Sequence, residues 1–352
     1  MLMKFVVIAT SGLLAVAGAA GAASSASATG VAQRPDRPMF AVQPTPRPDV
    51  AAPATPLPTW SFGYTYTGTG YSDTFVGSDP AGGGSTTVPV YIIPVRLTSS
   101  GFGTDPTAKL ANGKSVVQNT TASPIFKRID YVQGGTNLGS TQYIDAYQRA
   151  NLWGTVSSHT GYHVLLGKPT VEPKQTFKVP KRFGSVTTVF GTKVILADSQ
   201  WFDTTVQPLL TSLAIPATAL TIFVTTQTYL TQGAGCCIGG YHSFNGTYAY
   251  AQFSYIQTAG AFAQDVSSLS HEVGEWIDDP YTNNASPCGL YETGDPLENT
   301  ANYGDYPYTL NGVIYHLQDL ATPVYFGAPS STTVNGWSTF QGTHLAVCQN
   351  GS

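Results

Sequence analysis

The chain predicts an α+β fold, with a twisted mixed sheet of about five strands, one polar helix packed beneath it and a loop-rich C-terminal lobe. Three observations carry that prediction. Apolar runs of strand length recur at Thr87–Leu97, Val186–Ile195, Thr221–Thr226 and Tyr248–Ile256. Between them, Gly139–Trp153, Thr204–Leu213 and Ala261–Asp278 place apolar residues at helical spacing. Beyond Pro280 the chain becomes a polar loop, Tyr281–Asn302, followed only by short strand signals around Val313–Tyr315 and Pro323–Phe326.

The N-terminus organises the domains. Lys4 followed by the apolar run Phe5–Val16 and by small residues through Ala28 reads as a signal peptide over residues 1–28. That run is too short to span a bilayer as a helix. Residues 29–59 carry a series of prolines with few large apolar residues, so they favour extended polyproline II and form a linker. Residues 60–352 are then one folded domain. Only 10 % of the chain is charged, its net charge is −4, and it has no Lys/Arg cluster. These features exclude a nucleic-acid or anionic-membrane partner and fit a secreted, extracellular or periplasmic protein. The oligomeric state is not legible.

Within the domain, Trp60–Phe75 alternates aromatic and polar residues as a strand does. Pro89 and Pro94 suggest that Thr87–Leu97 is an edge strand or bulged. Ser123–Ile129 and Gly139–Trp153 read as helices. The second carries Tyr143, Ala146, Tyr147 and Ala150 on one face, with Asp145 and Arg149 spaced as an i, i+4 pair. A glycine-dense loop, G-A-G-C-C-I-G-G-Y-H-S, holds Cys236, Cys237 and His242. In an exported chain, Cys236, Cys237, Cys288 and Cys348 are expected to form disulfides. Adjacent cysteines rarely bond each other, so Cys236 and Cys237 are expected to reach Cys288 and Cys348.

The chemistry concentrates in S-H-E-V-G-E-W-I-D-D-P, Ser270–Pro280. On a helix ended by Pro280, His271 and Glu275 share a face about 6 Å apart along the axis, within reach of one ion. This is the H-E-x-x-H geometry of zinc proteases with the second histidine replaced by glutamate. His271 and Glu275 are the expected metal ligands and Glu272 the general base. The third ligand is sought in Y-E-T-G-D-P, where Glu292 is preferred over Asp295. Asp279 lies about 12 Å along the axis from His271, too far to share its ion, and suits a capping or histidine-holding role. His242 either binds substrate, adds a ligand or is structural. Zinc is the expected ion; a ligand set this rich in carboxylate also suits calcium or manganese. A surface helix bearing the same residues needs no metal.

These segments, with C-C-I-G-G-Y-H-S before them, resemble secreted zincin-like proteins that carry H-E-x-x-E, namely the plant phosphate-induced (EXORDIUM-type) proteins and their bacterial relatives. The similarity covers mainly Gly233–Pro296, with Gly139–Trp153 a weaker match. It implies a zincin-like α+β fold with His271, Glu272 and Glu275 on the active-site helix. The doubled Cys236-Cys237 and Thr293, where an aliphatic residue is usual, depart from the pattern. The reading that follows is a secreted metal-dependent peptidase acting on a peptide or protein substrate. The alternative is a catalytically inactive binding or signalling protein, directed to the cell wall or to carbohydrate, on the same scaffold.

Overall fold

The computed structural model describes residues 57–66, 68–286, 289–290, 304–321, 337–339 and 344–346. The signal segment, most of the proline-rich linker, Glu292, Asp295, Cys288, Cys348 and the strand expected at Pro323–Phe326 lie outside the described residues. The fold is mixed α and β, with strand predominating. Among the described residues the largest sheet has seven strands, two more than the five expected: its path runs Gln175–Lys178, Val90–Ser99, Leu220–Thr226, Ala249–Tyr255, Gly240–Phe244, and the short strands Phe102–Thr104 and Thr170–Val171 also pair with Val90–Ser99. The first four strands of that path run parallel and its last is antiparallel. Leu220–Thr226 and Ala249–Tyr255 are buried along their whole length, as expected of strands covered on both faces.

Pro94 sits inside this sheet, so the expectation of an edge strand is corrected. Ile92 O accepts from Glu172 N at 2.8 Å on one side, and residue 94 points to that same side. There the neighbouring chain is interrupted between Val171 and Gln175, so the missing N–H of Pro94 meets a gap in the ladder. Pro89 divides Ser85–Val88 from Val90–Ser99. Trp60–Phe75 is a hairpin, Thr59–Tyr66 with Thr69–Val76. Val186–Ile195 likewise divides into Gly184–Val189 and Thr192–Asp198.

The helices shift for local reasons. Ser123–Ile129 is not helical; the helix precedes it at Val116–Ala122, because Ser115 and Gln118 close a reciprocal capping box. Gly139 belongs to the strand Thr136–Thr141, and the tyrosine-rich helix runs Tyr143–Asn151. Asp145 and Arg149 do not pair with each other. Asp145 accepts from Thr141 Oγ1 at 2.6 Å and Val164 N at 2.8 Å, whereas Arg149 donates to the carbonyls of Leu138 and Tyr162 at 2.9 Å. Asp198 caps Ser199–Ser212, which therefore starts before Thr204.

The motif helix runs Ser267–Asp278 and is buried on every side. It starts later than Ala261 because Ala263 and Asp265 take left-handed φ values of 58° and 42°. It packs on the sheet strands Ala249–Tyr255 and Gly240–Phe244, on the tyrosine-rich helix and on the strand Val313–Gln318. At its end Asn284 accepts from Thr74 N at 3.0 Å and donates to the carbonyls of Thr74 and Asp278 at 2.8 and 2.6 Å, tying the N-terminal hairpin to the helix. No helix among the described residues is long and apolar enough to cross a membrane.

The glycine-dense segment is not a loop. Gly235–Ile238 pairs with Thr228–Gln232, and the chain continues into the sheet as Gly240–Phe244. Cys236 and Cys237 are bonded to each other, which corrects the expected pairing with Cys288 and Cys348. The peptide between them is cis, with their Cα atoms 3.0 Å apart. Cys237 packs among Tyr229, Ile256 and Phe262.

Candidate metal centre

Two elements build the site. Strand alternation turns Gly240 and His242 towards the motif helix, while Tyr241 enters the opposite core and donates to Asp203 at 3.0 Å. The helix turns His271, Glu272 and Glu275 towards the strand. His242 Nδ1 then lies 3.3 Å from Glu275 Oε2 and 3.7 Å from Glu272 Oε2. His271 Nε2 lies 3.1 Å from Glu275 Oε1. The Glu275 carboxylate thus stands between two imidazoles, one on each oxygen. One donor atom from each of His242, Glu272 and Glu275 falls within 4.8 Å of the others.

These groups are sealed from solvent: His242 is 2 % exposed, His271 3 %, Glu272 1 % and Glu275 1 %. Neither oxygen of Glu272 has a hydrogen-bond partner. A buried carboxylate in that condition is costly unless a cation or a proton answers it. Burial pushes the Glu272 carboxyl up to about 7, with the Glu275 charge adding to the push and the histidines opposing it. Burial acts on Glu275 as well, but the adjacent His271 and His242 outweigh it and hold that carboxyl low. The donor set passes the test for a divalent ion: imidazole and carboxylate groups converge, and buried oxygens are left to be satisfied.

Gly240 makes room for Glu272. A Cβ at this position would meet Glu272 Oε1 at 2.6 Å and the backbone oxygen of Gln252 at 2.8 Å. Gly240→Ala is therefore expected to displace Glu272 and to destabilise the fold by about 1–3 kcal/mol; chemical denaturation of the purified variant measures it, and an unchanged midpoint would contradict the packing described.

No family model, characterised protein or solved structure matches the chain. The site is therefore read from its own geometry. The donor atoms that gather are those of His242, Glu272 and Glu275, and His271 reaches them through Glu275 Oε1. Asp279 stands apart: its Oδ1 accepts from Asn283 N at 2.9 Å and Asn284 N at 3.0 Å, closing the turn that follows the helix. Glu292 and Asp295 lie outside the described residues. One participant escaped the sequence reading. Gln318, at 2 % exposure, meets His271 Nδ1 through its side-chain oxygen. H-L-Q-D offered only His316 as a signal, and His316 is bonded elsewhere, to Asp265 at 2.6 Å.

Burial also sets a pH dependence. It raises Asp73 from 3.8 to about 6, Asp279 from 3.8 to about 7 and Glu272 from 4.5 to about 7. Each holds its proton more tightly folded than unfolded, so between these values the folded state binds more protons and stability falls as pH rises. Chelator-treated protein is expected to show a falling Tm from about pH 4 to about pH 7. Asp279→Asn, which keeps the acceptor for both amides, lessens the fall. A Tm that rises through this window would contradict the assignment.

Proposed function

We propose that the protein is a secreted, metal-dependent peptidase of zincin-like fold, in which His271, Glu275 and His242 hold a divalent cation and Glu272 is the general base. The observation that supports this reading is the convergence of two imidazoles on Glu275 beside a buried carboxylate whose oxygens accept no hydrogen bond. The antiparallel edge strand bordering the motif helix and the H-E-x-x-E spacing favour the zincin-like description, as does the resemblance to the EXORDIUM-type proteins. Among the described residues His242 is the further donor beside Glu275, where the sequence alone pointed to Glu292. Zinc suits this set best; the second carboxylate widens the choice to manganese or calcium.

A bound cation supplies Lewis-acid polarisation of the scissile carbonyl and a more acidic water. Glu272 would be the group that accepts a proton from the attacking water and passes it to the departing amine. In the metal-free chain burial raises this carboxyl to about 7, and a neighbouring cation would lower it towards the ionised form a base needs. Glu275 and the two histidines bind rather than transfer protons. The leader-like segment at residues 1–28 supports a site of action outside the cytoplasm, on a peptide or protein substrate.

The burial of all four side chains favours a second reading, a metal-holding protein without catalysis that binds a cell-wall or carbohydrate partner. A casein zymogram with and without chelator separates the two. Chelator-sensitive clearing supports the peptidase. Absence of clearing by protein that carries metal supports the binder.

A further inference from the structure

We propose that Gln318 is a positioning residue for the metal centre: its side-chain oxygen accepts the Nδ1–H of His271, which leaves Nε2, 3.1 Å from Glu275 Oε1, as the nitrogen available to an ion. This inference rests on the metal-centre reading above. A neutral imidazole has one N–H and one lone pair, and the group bonded to one nitrogen decides what the other offers. A metal ligand needs an unprotonated Nε2, which requires an acceptor at Nδ1.

Gln318 is built to be that acceptor. Its backbone N–H donates to Ser270 Oγ at 2.7 Å, and Ser270 Oγ in turn donates to Ser267 O at 2.6 Å. Its backbone oxygen accepts from Tyr143 OH. Residue 318 is thereby fixed both to the motif helix and to the tyrosine-rich helix. Two residues earlier on the same strand, His316 N–H donates to Asp265 Oδ1 at 2.8 Å, just before the helix begins. Alternation places residues 316 and 318 on one face. The strand Val313–Gln318 therefore lies along the first half of the helix in a fixed register, and its last side chain meets the back of the ligand histidine. A hydrocarbon at position 318 could not accept the Nδ1 proton. A carboxylate could.

The test is the zinc dissociation constant of the full chain, measured by chelator competition for the wild type, Gln318→Met and Gln318→Glu. Thermal melting of each metal-free protein runs in parallel. Expected is a weakening of about 10–100-fold for Gln318→Met and near wild-type affinity for Gln318→Glu. In zinc-loaded protein, nitrogen NMR is expected to show a slowly exchanging Nδ1–H on His271 in the wild type and in Gln318→Glu, but not in Gln318→Met. Equal affinity in all three proteins would overturn the positioning role and leave the metal centre standing. Equal loss in both variants, with matching loss of Tm, would overturn it in favour of a packing role. A wild type that binds no zinc, manganese or calcium would overturn the centre and this inference together.

Discussion

Glu272→Gln is expected to lower peptide hydrolysis by about 10²–10⁴-fold, about 3–5 kcal/mol of barrier, while bound metal stays at the wild-type level. The substitution is nearly isosteric and removes a carboxyl whose charge the buried site already disfavours. The fold is therefore expected to survive, with unchanged circular dichroism. The proton acceptor is lost, and because Glu272 is not one of the three ligands in this account, the ion remains. Initial rates on a fluorogenic peptide mixture, with metal content measured on the same samples, check both halves. Full activity in Glu272→Gln would remove Glu272 from the mechanism. Loss of metal in this variant would instead make Glu272 a ligand, consistent with its place beside His242.

His242→Ala is expected to weaken metal binding by more than about 100-fold, since loss of a ligand costs more than loss of the group behind one. His271→Ala is expected to do the same. Either change also leaves Glu275 buried beside a lost partner, and breaking a buried ion pair from one side costs about 3–5 kcal/mol. Both variants are therefore expected to melt earlier than wild type. His242→Ala is the sharper of the two, because His242 lies on the strand Gly240–Phe244, outside the H-E-x-x-E motif. Isothermal titration with zinc checks it. Wild-type affinity in His242→Ala, together with loss in His271→Ala, would return the third ligand to the region of Glu292.

The motif helix was legible because its chemistry is local. H-E-x-x-E puts His271 and Glu275 on one face by helical geometry alone, and Pro280 marks where the helix must stop. The strands buried on both faces were legible as apolar runs, Thr221–Thr226 most clearly. Pairing between distant segments was not. His242 lies 29 residues before His271 in the sequence, and its glycine-rich surroundings look like a loop until Ala249–Tyr255 supplies the partner that makes them a strand. Gly240 gave no sign that its missing side chain makes room for Glu272. Gln318 belongs to the same class: an amide among ordinary residues whose role depends on a strand packing across a helix. The cysteine pairing failed for a different reason. It rested on the rarity of a bond between adjacent cysteines, and Cys236 and Cys237 form one.

The proposed peptidase requires a cation held by His242, His271 and Glu275. Elemental analysis of the purified, folded wild-type chain tests this most directly. Expected is about one divalent ion per chain, removed by chelator and restored on addition of zinc. Folded protein that carries no ion, and takes none up from zinc, manganese or calcium, would contradict it.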